Sequence, residues 1–238
     1  MPPSLAFVIP ALNEEASIAS VLDGLRAALA ALDITDADIV VVDNCSTDAT
    51  AAVATAHGAR VVQERRRGYG QACLTGIASV SPEAEILVFL DADGSDDPGD
   101  LGTLLAPIRK GAADLVLGSR TEAGLKVGAF TPQQRFGNWL ATWLLRILFK
   151  ADFNDLGPFR AIRRLALEQL RMSDTTYGWT IEMQIKAHRR GLRVLEIPVN
   201  YRKRLAGESK ISGNFVGTIR AGYKILFTIA KYGLFSQD

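Results

Sequence analysis

Cysteine and histidine are nearly absent from this chain. Cys45 and Cys73 form no CxxC pair and His57 and His188 lie far apart, which argues against a disulfide framework, a zinc cluster or a histidine-rich metal centre. Long uncharged apolar runs are also missing. Residues 139–149 are interrupted by Arg146, and residues 215–235 by Arg220, Lys224 and Lys231, so neither offers the roughly 20 apolar residues that a spanning helix needs. No basic segment precedes the short apolar stretch at residues 5–10, so no secretory leader is expected and the protein is expected to face the cytoplasm. No GxGxxG follows the first apolar run, which removes the dinucleotide-binding fingerprint. There is no basic groove studded with aromatics either, so nucleic acid is not an expected partner.

What is present is a globular composition, 48% apolar and 22% charged over 238 residues, enough for one core. No repeat or low-complexity linker marks a place to divide it. The formal charge of +1 conceals an asymmetry. Residues 1–185 carry 16 Lys and Arg against 23 Asp and Glu, whereas residues 186–238 carry 11 against 3. An acidic body with a basic C-terminal surface suits an anionic partner such as phosphate or an acidic membrane.

Short continuous apolar runs at residues 5–9, 39–42, 60–62, 86–90 and 114–117 read as buried parallel strands. Between the first two, Ile18, Leu22, Leu25, Leu29 and Leu32 recur at helical spacing, with Asn13 placed to cap. Residues 47–57, 69–80 and 98–110 supply further crossover helices. The second half reads as an apolar helix over 135–150, a loop over 152–160, a helix over 181–190 and a strand over 193–201. The fold class is α/β, an open, mostly parallel sheet flanked by helices. A C-terminal helix over 215–235 is amphipathic, because Arg220, Lys224 and Lys231 fall within about 40° on a helical wheel. Such a helix suits peripheral contact with a bilayer, or contact with a second subunit.

In such a sheet the ligand crevice lies beyond the carboxyl ends of the strands, so polar residues directly after a strand are the ones to weigh. Two Asp residues one apart can hold a divalent cation against a diphosphate. The chain has two such pairs, Asp36 with Asp38 and Asp91 with Asp93, and only the second follows a strand. Asp43, after the second strand, is suited to accept hydrogen bonds from a nucleoside. The run from Arg65 to Gln71, with Arg67 beside Gly68, places cations and backbone N–H groups where an anion docks. Arg202, Lys203, Arg204 and Lys210 surround a flexible Gly207, and arginine forks suit phosphate oxygens.

Six ordered segments carry a resemblance: residues 10–15, Asp43 with residues 46–48, residues 91–93, residues 118–120, residues 157–161 and residues 207–210. They resemble family 2 glycosyltransferases of the GT-A fold, most of all the polyprenyl (dolichyl) phosphate mannose and glucose synthases. The resemblance implies inverting transfer of a hexose from a UDP- or GDP-sugar to a polyprenyl phosphate, with Mg²⁺ or Mn²⁺ held by Asp91 and Asp93. It places Pro10, Asn13, Glu14 and Asp43 around the nucleoside, Arg204 and Lys210 at the donor or acceptor phosphate, and Arg120 and Arg135 at the lipid phosphate; Arg67 and Arg204 are the expected cations on the nucleotide-sugar side, and Ser209 and Lys210 join Arg120 and Arg135 on the acceptor side. Ser95 stands where the mannose synthases often have Gln, and Cys45 where a small residue is usual. The implied layout is a single domain over 1–238, with a nucleotide-sugar half over 1–120, an acceptor half over 121–212 and the amphipathic helix over 213–238. Asp93 and Glu182 are the expected catalytic pair, Glu182 as general base if the acceptor is a hydroxyl rather than a phosphate, which is already an anion. A nucleotide-sugar or anionic-lipid binding module without turnover is the non-enzymatic alternative. The expected setting is cytoplasmic, peripheral on the inner membrane face, with homo-oligomer formation open.

Overall fold

The five apolar runs of the first half become strands in the order the sequence predicts: β1 (Leu5–Ala11), β2 (Ala37–Asp43), β3 (Arg60–Gln63), β4 (Ile86–Phe89) and β5 (Leu115–Ser119). A computed structural model of the chain describes residues 4–120, 131–206 and 215–234, with side chains in the last stretch from 222 to 232. Two further strands, β6 (Arg160–Arg163) and β7 (Val194–Pro198), complete a seven-stranded sheet of order β3-β2-β1-β4-β6-β5-β7. All neighbours are parallel except β6, which runs antiparallel to both β4 and β5. The carboxyl ends of the other six strands therefore share one edge, and the start of β6 joins them there.

Helices cover both faces. On one lie α1 (Ile18–Ala31), α2 (Thr50–Ala56) and α4 (Leu101–Arg109), packed on Phe7, Ile9, Val41 and Val88. On the other lie α3 (Tyr69–Ser79), α5 (Pro132–Phe149), α6 (Arg164–Leu170), α7 (Trp179–Arg189) and α8 (Phe215–Leu234), packed on Val8, Val42, Leu87 and Phe89. Successive strand residues point to opposite faces, so each strand feeds both cores, and this is why its sequence is apolar without alternation. Gly76 lets α3 press on the sheet, since a Cβ there would lie 2.3 Å from Val8. α5 begins at a capping box in which Thr131 and Gln134 satisfy each other's backbone N–H groups, with Pro132 in the first turn.

Two expectations are corrected. Asn13 does not cap α1; Ser17 holds the N-cap position, and Asn13 instead adopts a left-handed φ of 52°. β6 and α6 interrupt what reads as loop and irregular chain, because their pairing is tertiary. As the sequence predicts, the Asp36–Asp38 pair lies at the start of β2, the edge opposite the crevice, where Asp38 is held by Arg60 at 2.7 Å and by the Ser81 N–H at 2.7 Å.

Candidate active site

Asp91 and Asp93 emerge from β4 at the carboxyl edge. The Tyr69 hydroxyl, at the start of α3, donates to Asp91 Oδ1 at 3.1 Å. Asp93 Oδ1 accepts from the Ser95 N–H at 2.8 Å, and its Oδ2 lies 3.1 Å from Arg204 Nη1. Arg204 reaches back across the edge from beyond β7, and its other terminal nitrogen donates to Glu14 Oε1. Glu14 is fixed in turn by Ser17, which donates to its Oε2 at 2.9 Å, and its own N–H donates to Thr50 Oγ1 at 2.8 Å. Burial, with Asp93 alongside, pushes the Asp91 carboxyl up to about 7. Asp96 is buried beneath them, accepts from the Asp91 N–H at 3.3 Å, and is pushed well above the usual range by burial and by both neighbouring acids. Among the described residues, Asp96 Oδ1, Ser119 Oγ and Arg204 Nε are buried without a hydrogen-bond partner. All three sit at this edge, and buried polar atoms left unpaired are uncommon in folded proteins.

The loops after β1 and β2 are sewn together. Asn13 Oδ1 accepts from the Thr47 N–H at 2.8 Å, and the Asn13 N–H donates to Ser46 Oγ at 2.9 Å. Asp43 accepts from the Ser46 N–H at 3.0 Å and from Gln63 Nε2 at 2.9 Å, and Pro10 sits opposite Val42 in the ladder. Pro10, Asn13, Glu14 and Asp43 thus share one end of the crevice. Arg67 is exposed on the neighbouring loop. Sequence reasoning missed Asn44 and Glu64, which build that loop. Asn44 Oδ1 accepts from the Gly68 N–H at 2.8 Å, and Glu64 takes Arg66 at 2.8 Å, so Arg66 is not at the crevice's disposal. Glu64 follows β3 directly, and the rule that found Asp91 applies to it equally.

On the other wall Arg120 follows β5. It is nearly buried and clasped by Asp155, with Nε at 2.8 Å from one carboxylate oxygen and Nη2 at 2.7 Å from the other. Burial opposes the charge of Arg120, but Asp155 outweighs it and raises the guanidinium pKa further. The Tyr201 ring packs 5.0 Å from the guanidinium carbon. Any anion at this wall therefore meets Arg120 already engaged in an ion pair. Asp155 went unread because only the tertiary approach of residues 152–159 to β5 brings it there. That approach depends on Gly157, where a Cβ would lie 2.4 Å from the Gly118 carbonyl oxygen. Arg135 is exposed in the first turn of α5. Ser209 and Lys210 lie outside the described residues.

Glu182 is the clearest departure from expectation. It is fully buried, and its carboxylate accepts from Ser173 Oγ at 2.8 Å, the Asp174 N–H at 2.8 Å and the Tyr232 hydroxyl at 2.6 Å, with Lys186 at 2.7 Å. Burial raises its pKa, yet these donors together hold it below the ordinary carboxylate range. A general base needs a lone pair within reach of the proton it takes. Among the described residues every side of Glu182 is closed, and the carboxylate ties α7 to α8 rather than facing the crevice.

The model of glycosyl transferase family 2 matches residues 6–171. The chain belongs to that family. An uncharacterised glycosyltransferase of Mycobacterium tuberculosis is 41% identical over 220 residues, which is 92% of this chain and 94% of the relative. The undecaprenyl-phosphate mannosyltransferase of Micrococcus luteus is 31% identical, covering 95% of this chain and 93% of its own length. Among solved structures, glucosyl-3-phosphoglycerate synthase of M. tuberculosis, in complex with Mn²⁺, UDP-glucose and phosphoglyceric acid, superposes with a TM-score of 0.76 at 27% identity. That match covers 96% of this glycosyltransferase and 79% of the synthase, and the shared fold is the GT-A fold.

Proposed function

We propose that this glycosyltransferase moves a hexose from a UDP- or GDP-sugar to a polyprenyl phosphate with inversion, using Mg²⁺ or Mn²⁺. The observation that carries the reading is the set of unpaired buried atoms at the strand edge, Asp96 Oδ1, Ser119 Oγ and Arg204 Nε, around the Asp91–Asp93 pair. They are a ready set of donors and acceptors for a diphosphate and its cation. Two carboxylates in a partly buried setting fit a hard divalent ion. Among the described residues no three His, Cys, Asp or Glu side chains gather as an all-protein cage, which leaves coordination positions to phosphate oxygens and water. Asp91 and Asp93 would hold the ion, which supplies Lewis-acid stabilisation of the departing diphosphate.

The chain's own residues account for the rest. Pro10, Asn13, Glu14 and Asp43 orient the nucleoside, with Arg67 at the rim. Arg204, now shared between Glu14 and Asp93, is poised to turn its charge to the diphosphate. As an acceptor phosphate oxygen forms its bond to the anomeric carbon, the bond to the diphosphate breaks and the leaving group keeps the electron pair; Arg204 stabilises that charge. Arg120, Arg135, Ser209 and Lys210 are assigned to the acceptor phosphate. The closure of Glu182 favours this acceptor over a hydroxyl, which needs a base, and the mannosyltransferase relative speaks for it too.

Peripheral bilayer contact belongs to the same reading. Phe136, Trp139, Trp143 and Ile147 form one exposed stripe on α5, with Trp139 56% exposed. Tyr223, Leu226 and Phe227 are exposed on α8, which packs against α5, while Ile229 and Tyr232 on its other face are core. Exposed aromatics flanked by cations suit a headgroup interface, which we place on the cytoplasmic membrane face. Flotation with anionic vesicles checks it: a chain that stays in solution at low salt and dimerises instead has its aromatic stripe covered by a second copy. The donor is tested by a thermal-shift panel of UDP and GDP with and without MnCl₂, followed by transfer to undecaprenyl phosphate. A metal-dependent rise of the midpoint is expected. No rise with either nucleotide would end the reading.

A further inference from the structure

Arg160 opens β6 at the same edge and is fully buried. Among the described residues it forms no ion pair. Its Nη1 donates to the Thr180 carbonyl at 3.2 Å and lies 3.6 Å from Met183 Sδ, its Nη2 donates to the Gly157 carbonyl, and its Nε has no partner. The guanidinium carbon sits 5.8 Å from the centre of the Trp179 ring. Burial pulls its pKa down. A buried cation without a carboxylate is costly to hold, and an apolar side chain of similar reach is often as stable in such a place.

The two carbonyls that Arg160 spans belong to opposite walls of the site. Gly157 lies in the segment whose Asp155 clasps Arg120. Thr180 follows Trp179, whose ring packs 4.8 Å from Phe89 of β4 and 6.2 Å from Tyr69, the residue that donates to Asp91. In the ladder Arg160 faces Phe89 on one side and Leu117 on the other. One side chain thereby joins the wall that carries Asp91 to the wall that carries Arg120.

We infer that Arg160 is a positioning residue whose fork across the Gly157 and Thr180 carbonyls sets the separation between the Asp91–Asp93 edge and Arg120, and so between donor and acceptor. The inference rests on the hexosyl-transfer reading. Arg160 forms and breaks no bond in the reaction. Its effect is geometric, and a shift of about 1 Å between reacting groups costs on the order of 10²-fold in rate.

Arg160→Met and Arg160→Lys in the full chain test it. Calorimetry with UDP and GDP in the presence of MnCl₂ is expected to give dissociation constants within about threefold of wild type for both variants. The kcat for transfer to undecaprenyl phosphate in vesicles is expected to fall by about 10²-fold in Arg160→Met at little-changed acceptor KM, and Arg160→Lys to recover about tenfold of that loss. A folded Arg160→Met protein with wild-type kcat overturns the inference. A nucleotide affinity that falls in step with kcat overturns it too, since that is a packing defect and not a positioning one. Where the Met variant does not fold, Arg160→Lys decides: a loss of about tenfold in kcat at unchanged nucleotide affinity is expected, and wild-type kcat overturns the inference. If the wild-type protein binds nucleotide with Mn²⁺ but leaves undecaprenyl phosphate untouched, the acceptor reading alone fails. The separation is then read directly, from crystal structures of wild type and Arg160→Met with UDP and MnCl₂: a changed distance between Asp93 and Arg120 is expected, and an unchanged one overturns the inference.

Discussion

Asp91 and Glu182 are carboxylates that burial works against, one at the β4 edge and one at the head of α7, yet they end on opposite sides of their ordinary range. Asp91 receives one hydroxyl, faces Asp93, and is pushed up to about 7. Glu182 receives Ser173, Asp174, Tyr232 and Lys186 and is held low. The edge is short of positive charge and the α7–α8 junction is not. An under-compensated acid is one that a cation can improve, whereas a fully compensated one is part of the scaffold. Depth of burial alone ranks the two the wrong way round, because Glu182 is the more completely enclosed.

The contrast can be broken in order of expected effect. Asp93→Ala is expected to lower kcat/KM by about 10³-fold while leaving the thermal midpoint in place, since it removes charge stabilisation and no core group. Equal damage from Asp36→Ala would undo the choice between the two Asp pairs. Arg204→Ala is expected to weaken nucleoside diphosphate binding by about 1.5–3 kcal/mol, the value of a lost charged hydrogen bond, as read by calorimetry. Unchanged affinity would return Arg204 to the role of a counter-ion for Glu14. For Glu182→Gln the loss is expected in stability, about 1.5–3 kcal/mol by urea denaturation, with kcat nearly unchanged. A fall in kcat of about 10²- to 10⁴-fold at intact stability would make it the base after all.

The smallest effect is the most diagnostic of charge. With its pKa raised to about 7, folded Asp91 keeps a proton that the unfolded chain releases near its ordinary value of about 4. Its contribution to stability is complete below that value, declines as pH rises towards 7, and is flat above. Asp91→Asn cannot titrate, so the metal-free variant is expected to melt a few degrees higher than wild type at pH 8 and to lose that part of the pH slope. A variant that melts lower at pH 8 would mean that the Asp91 carboxylate is compensated like Glu182.

The first four strands were legible because each is an apolar run followed at once by polar residues, a pattern that residue types carry openly. Asp91, Asp93, Glu14 and Asp43 were found in that way. The second half resisted for a physical reason. β6 reads Arg-Ala-Ile-Arg, two cations in four residues, and nothing local marks it as a central strand. Arg160 is held by two backbone carbonyls, which leave no trace in composition. The enclosure of Glu182 depends on Tyr232, fifty residues away, so an acid in the first turn of a helix looked the same whether open or sealed.

The antiparallel strand between β4 and β5 also bears on how the chain is made. β5 is complete by residue 119, but among the described strands it bonds only to β6 and β7, and β6 begins at residue 160. During synthesis β4 therefore waits with one bare edge, and β5 with both, until about forty further residues have left the ribosome. Unpaired apolar strand edges are the surfaces through which nascent chains aggregate. A truncation that keeps the whole carboxylate edge but stops after β5 is expected to be insoluble, and the shortest chain able to close its sheet is one that runs through β7.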